Sequence, residues 1–154
     1  MQLSKILSPD AIRVVGAMSS KKRLFHELGE LAHTVHGLPA ERTIEALMER
    51  ETLGPTGVGH GIALPHARLD EAEAVRGLFM RIEKPMEFGS ADRQPVDLVF
   101  ALFAPASAGV DHLKALALVS RTMRDQSLCA KLRANDDPAV LHTLLTEAPA
   151  SAAA

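Results

Sequence analysis

The chain has 154 residues, 47% of them hydrophobic and 23% charged, with a net charge of −2. That length and apolar content fit one compact domain, and the absence of a basic block at either end removes the electrostatic footprint of a nucleic-acid binder. Five Phe with no Trp or Tyr offer no base-stacking platform, and the single cysteine, Cys129, excludes an internal disulfide and a Cys-rich zinc site.

In chain order, Met1-Gln2-Leu3-Ser4-Lys5 leads into no long apolar stretch. Ala11 to Val15 reads as a short strand. Ser19-Ser20 can cap a helix over Lys21 to His36, whose apolar stripe is Leu24, Leu28, Leu31 and Val35, with Gly37 as a left-handed terminator. Pro39 opens a second helix with Ile44, Leu47 and Met48 facing inward, ending near Arg50-Glu51 before Gly54-Pro55. Arg76 to Glu83 and Val96 to Phe103 read as strands, the second so continuously apolar that it should be buried on both faces. Pro85, Gly89 and Pro95 punctuate the stretch between them. A helix is expected over Val110 to Met123 with Leu113, Leu116, Val119 and Met123 as its stripe, then a shorter one over Ser127 to Arg133. Asp137-Pro138 is an N-cap followed by Pro at the first helical position, opening a last helix through Leu145. Residues 147–154 form a small-residue tail. The longest apolar run, Leu98 to Ala106 with Pro105 inside it, is far too short to span a bilayer. The expectation is a single cytoplasmic domain, 1–146, without membrane insertion. Its fold is expected to be α/β, a central mixed sheet flanked by helices on both faces.

The stretch Gly57-Val58-Gly59-His60-Gly61-Ile62-Ala63-Leu64-Pro65-His66 carries the most chemistry. Alternating glycines free the backbone to turn N–H groups toward an anion. Pro65 stiffens the corner before His66. The spacing is neither G-x-G-x-x-G nor a P-loop, and taken alone it is also compatible with an ordinary tight turn. Ile62, Leu64 and Val58 are expected to give His66 an apolar surround. Among the seven histidines, His26 and His33 flank Glu30 on what reads as a solvated helix face. His36 sits at a helix end, where partial negative charge favours imidazole, and His142 reads as surface. His60 with His66 lacks a carboxylate at ligand spacing, so no metal is expected. His112 follows Asp111 in a first helical turn beyond the most buried strand, the place where α/β folds tend to build sites; it could equally face water. Cys129 reads as core. Nothing in the spacing brings Arg50 near His66.

Together, Arg50-Glu51, Thr56 through His66, Gln94 through Leu102, and His112-Leu113 resemble the IIA domains of the bacterial phosphoenolpyruvate-dependent phosphotransferase system. The resemblance is to the fructose/mannitol/nitrogen type, and within it to the free-standing nitrogen-regulatory branch, and it spans essentially the whole chain from Leu3. It implies a phosphocarrier that works as a regulator rather than a stand-alone turnover enzyme, with no cofactor. By the resemblance, His66 is the phosphorylated nucleophile, Arg50 stabilises phosphate, and His112 bonds the phosphoryl group or orients His66. Gly57, Gly59 and Gly61 would form a phosphate cradle. The implied donor is an HPr-like carrier (NPr), and the implied targets are potassium-transport or sensor-kinase proteins. The alternative is a sugar-specific fructose or mannitol IIA component that passes phosphate to a IIB domain; the absence of a IIB or IIC segment in this chain points to the regulator. The sequence departs from the family at His60, where asparagine is common, and at Ala67, where glycine or a small polar residue is common.

Overall fold

In the computed structural model, which describes residues 1–147, a short helix α1 (Leu3–Ile6) and a 3-10 turn (Pro9–Ala11) lead into strand β1 (Ile12–Val15). Helices α2 (Lys21–His36) and α3 (Ala40–Thr52) follow. Next come β2 (Gly57–Gly59), β3 (Ile62–Ala63), β4 (His66–Arg68), β5 (Arg76–Met86) and β6 (Val96–Ala104), then α4 (Gly109–Met123), α5 (Gln126–Arg133) and α6 (Pro138–Thr146).

Strand β6 is the axis of the sheet. It pairs antiparallel with β5 on one side and in parallel with both β3 and β4 on the other. The sheet is completed by β1, parallel to β5, and β2, antiparallel to β3. Every residue of β6 is buried except the half-buried Asp97, as its unbroken apolar run requires: such a strand is stable only with cover on both faces. The fold is therefore the single α/β domain with a mixed sheet and flanking helices that the sequence suggested.

Helix ends follow local chemistry. The Ser20 hydroxyl accepts from Arg23 N at 3.1 Å, and Gly37 leaves α2 at φ 69°. Asp137 accepts from Ala139 N at 2.9 Å with Pro138 at the first helical position. Helices α2 and α3 pack closely because Gly29 has no side chain: a Cβ there would run into Ile44 Cγ1 and stand 3.0 Å from the Ala40 carbonyl.

Three expectations need correction. Pro85 does not end the second strand. β5 continues to Met86, and its register against β6 slips between Arg81 and Met86; Pro85 falls in the slip, where no ladder N–H is needed. The buried stripe of α4 is His112, Ala115, Val119 and Met123, with Leu113 64% exposed and Leu116 only partly covered. The helix is thus rotated so that an imidazole, not a leucine, enters the protein at its first turn. Lastly, α1 and the short strands β2 and β4 escaped notice, since three or four residues carry no measurable period. Glu147 closes α6 through its N–H to Thr143 O; the rest of the expected tail lies outside the described residues.

Candidate functional site

Pro65 places the histidine. The chain leaves β3 at Ala63 and rejoins the same side of β6 as β4, with Pro65 O accepting from Leu102 N at 3.0 Å and His66 opposite Leu102. A proline can make that step because its carbonyl serves the sheet while its missing N–H is not called on. The His66 ring folds back so that Nδ1 lies 3.0 Å from Leu64 O. A carbonyl only accepts, so Nδ1 carries the proton and Nε2 keeps the lone pair.

The last turn of α3 brings Arg50 to that lone pair. Arg50 Nε donates to His66 Nε2 at 3.3 Å, and Nη1 donates to Gly54 O at 3.0 Å, tying the guanidinium to the helix exit. Glu51, its neighbour, anchors the following turn: its carboxylate accepts from Thr56 N at 3.0 Å, from Thr56 Oγ1 at 2.6 Å and from Lys21 Nζ at 2.8 Å. The first turn of α4 brings His112, 5% exposed, edge-on to His66 with ring centroids 5.7 Å apart. Leu53, 82% exposed, and Arg42 stand on the rim of the resulting open hollow of about 290 Å³, which Arg50, His66, Arg68 and His112 also line.

Burial favours the neutral form of both rings. Burial pushes the pKa of His66 below its ordinary value; the Leu64 hydrogen bond opposes this, the Arg50 charge adds to it, and Glu51 opposes it. His112 is pushed down as well, first by burial, then by His66 and Arg68. A neutral, partly buried imidazole with a directed lone pair, beside a permanent cation, is a nucleophile for an electrophile that carries negative charge.

The three residues Arg50, His66 and His112, separated in sequence by 16 and 46 positions, meet here. The three glycines do not line this hollow. Gly57 and Gly59 pair with Ala63 and Ile62 in the β2–β3 hairpin, and His60-Gly61 is its two-residue turn, at φ 57° and 81°. Positive φ at both central positions is what a type I′ hairpin turn demands and Asn-Gly supplies most readily. His60 meets that demand with its backbone pinned, its N–H on Asp92 Oδ2 at 3.0 Å and its carbonyl on Arg133 Nη2 at 2.8 Å. A Cβ on Gly57 would run into the Ser90 hydroxyl, and one on Gly61 would stand 2.6 Å from Arg133 Nη2. Glycine at these positions serves hairpin shape and close packing.

The apolar surround also differs from expectation. Ile62 and Leu64 are buried in the core, Val58 is exposed on the hairpin, and the exposed apolar side chain that lines the hollow is Leu53, while Val110 and Leu113 flank His112 in sequence. Of the other histidines, His36 bonds Gly77 O at 2.9 Å, and burial, the largest influence, lowers its pKa despite its helix-end position. His33 Nδ1 bonds Leu38 O at 3.2 Å, and His142 is half-buried on Leu7 O at 2.9 Å rather than free on the surface. Cys129 is core, its thiol on Met123 O and its pKa raised by burial. Among the described residues no group of three or more His, Cys, Asp or Glu stands together as a metal-ligand set, and no helix is long and apolar enough to cross a membrane. The residue that sequence reasoning missed is Arg68, which donates from Nε to His112 Nδ1 at 3.3 Å. Its signal was the strand period: on β4, residues 66 and 68 share a face.

A fold of this topology with two histidines and three arginines around one open hollow defines a protein class. Residues 5–148 match the family model for the phosphoenolpyruvate-dependent sugar phosphotransferase system, EIIA 2, and the chain belongs to that family. Within it the likeness is to nitrogen-regulatory members. The chain is 44% identical over 153 residues to a nitrogen regulatory protein of Bradyrhizobium diazoefficiens, covering 99% of this chain and all of that one. The crystal structure of the nitrogen regulatory protein IIA-Ntr from Neisseria meningitidis superposes with a TM-score of 0.87 at 33% identity, covering 94% of this chain and 99% of that one. The IIA mannitol structure from Escherichia coli, at 21% identity and a TM-score of 0.76 over 88% of this chain and 96% of that one, shares the fold.

Proposed function

We propose that this protein is a phosphocarrier whose His66 Nε2 accepts a phosphoryl group from a small histidine-phosphorylated carrier of the HPr type (NPr), and whose phosphorylation state governs its regulatory contacts. The observation that carries the reading is the geometry at one atom: Nδ1 is committed to Leu64 O, so the lone pair sits on Nε2, within 3.3 Å of Arg50 Nε. In the transfer, the Nε2 lone pair attacks phosphorus as the P–N bond to the carrier breaks, and its electron pair returns to the carrier's ring nitrogen. His66 keeps its Nδ1 proton throughout, and no metal or cofactor is required by the balance. Arg50 Nε–H, which occupies the lone pair in the resting protein, turns to a phosphoryl oxygen, where a charge-assisted hydrogen bond is stronger. Transfer of this kind needs positioning and charge stabilisation more than covalent help from the protein.

Regulation follows from charge. The neutral ring becomes a group of roughly −1.5 to −2 charge, by analogy with other phosphorylated side chains, on a face that also bears the exposed Leu53. A target that packs on this face in the unphosphorylated state would have to desolvate the new charge. The potassium-transport and sensor-kinase systems are the targets this reading favours.

The test is incubation with phosphorylated carrier followed by intact-mass and acid-lability analysis. Native protein should gain one phosphoryl group, and His66→Ala should fold and gain none. Acid-labile phosphate on the variant would move the site to another histidine, and rapid onward transfer to an added sugar-specific IIB acceptor would favour the sugar-transport branch.

A further inference from the structure

Besides Arg50 and the rim residue Arg42, the hollow contains a cation bonded to one of its histidines. Arg68 lies two residues after His66 on β4; its Nε donates to His112 Nδ1 at 3.3 Å and its Nη1 reaches Ala106 O at 3.5 Å. A guanidinium has donors and no acceptor. His112 Nδ1 must therefore be the acceptor, and the neutral ring carries its one proton on Nε2. That Nε2 is buried and has no hydrogen-bond partner among the described residues. Buried polar groups are nearly always paired, so an orphan donor on a ring packed against His66 calls for a partner. The ring bearing it stands edge-on to His66, 5.7 Å between centroids.

We propose that Arg68 is a positioning residue for phosphoryl transfer: it holds His112 as the Nε2–H tautomer, so that this unpaired donor meets an oxygen of the group arriving on His66. The inference rests on the reading of His66 given above. The opposite tautomer would turn a lone pair toward an anionic oxygen and place Nδ1–H against a guanidinium that can only donate. Arg68 thus decides the sign of the contact that His112 makes without itself touching the phosphoryl group. The strand geometry supplies the link, since the residue two positions after the nucleophile shares its face, while α4 delivers the imidazole to both.

The experiment compares native protein with Arg68→Met, both labelled with 15N-histidine. Long-range 1H–15N NMR of the imidazoles reads the tautomers, and quenched-flow uptake from phosphorylated carrier reads the rate. Native His112 should show a protonated Nε2 and a bare Nδ1. Arg68→Met should admit the other tautomer and slow uptake at saturating carrier by about 10- to 100-fold, by analogy with the loss of partners that orient metal-ligating histidines. Arg68→Lys, which keeps a donor and the charge, should recover part of both. Unchanged His36 and His142 resonances, bonded to the Gly77 and Leu7 carbonyls, report that the variant is folded. If the His112 tautomer is the same in native protein and Arg68→Met, Arg68 does not set it and the inference falls. A changed tautomer with unchanged uptake removes the role in transfer. Failure of the native protein to take up phosphate overturns the His66 reading and the role of Arg68 in it, and that result is separable because no variant is involved.

Discussion

Replacing Arg50 by Met should cut phosphoryl uptake severely while the fold barely notices. In the resting protein Arg50 makes two hydrogen bonds, Nε to His66 Nε2 at 3.3 Å and Nη1 to Gly54 O at 3.0 Å. Each is worth about 0.5–1.5 kcal/mol net. The hollow is open, so water can replace the guanidinium, and Met keeps most of the aliphatic stem. A loss near 1 kcal/mol corresponds to a melting shift of about 2–4 °C for a domain of this size. Transfer is a different matter. A phosphoryl group on Nε2 puts its oxygens roughly 4 Å from the guanidinium, where one pair of unit charges at an effective dielectric of 20 interacts by about 4 kcal/mol. That is about 10³-fold in the second-order rate constant. If half of the attraction is already felt when the carrier docks, only the remainder accelerates the bound step, giving roughly 30-fold at saturating carrier. Arg50→Lys should fall between, because a point charge replaces a planar fork. Quenched-flow transfer from radiolabelled carrier, with melting followed in parallel, measures both. A normal second-order constant together with a melting loss beyond about 10 °C would refute the reasoning and make Arg50 a structural residue.

Two further outcomes follow from the packing and the histidines. Gly29→Ala gains about 1 kcal/mol of helix propensity but drives a Cβ into Ile44 Cγ1 and to 3.0 Å from Ala40 O; overpacking of about 1–3 kcal/mol should win, lowering the urea midpoint, whereas a raised midpoint would show that α3 slides freely. The pKa values of His36, His66 and His112 are all pushed down in the fold, chiefly by burial. Below about pH 6.5 the unfolded chain therefore takes up protons that the native state refuses. The stability these neutral rings contribute is fully present above pH 6.5 and is lost as pH falls from there through their lowered folded values. Urea midpoints should drop between pH 7.5 and 5.5, and His36→Gln should flatten the drop; an identical slope in the variant would rule His36 out as a contributor. Asp92, exposed and with its pKa lowered from a carboxylate value by the His60 and Gln94 N–H groups, titrates below this window.

Much of the molecule was legible from local chemistry. Ser20, Gly37 and Asp137-Pro138 announced helix ends because capping is satisfied within three or four residues. The run Val96 to Phe103 announced the central strand because only a doubly covered strand tolerates so little polarity. The resemblance named His66, Arg50 and His112, and the tertiary structure decided what they can do together. Sheet order sets β4 beside β6 and carries His66 to the end of α3; no periodicity encodes that approach. The rotation of α4 by one residue turned the expected Leu113 stripe outward and His112 inward, because covering β6 and meeting Arg68 depends on neighbours far along the chain. The glycines were read as an anion cradle, and the structure sets them in a hairpin whose turn needs positive φ, outside the lining of the hollow. A glycine in sequence states only that a side chain is unwelcome; whether backbone dihedral, Ser90 or a ligand forbids it is a fact of three-dimensional packing. The same holds for proton positions. Sequence supplies two imidazoles, but which nitrogen of each holds the proton is fixed by Leu64 O and by Arg68, contacts that exist only once the chain has folded.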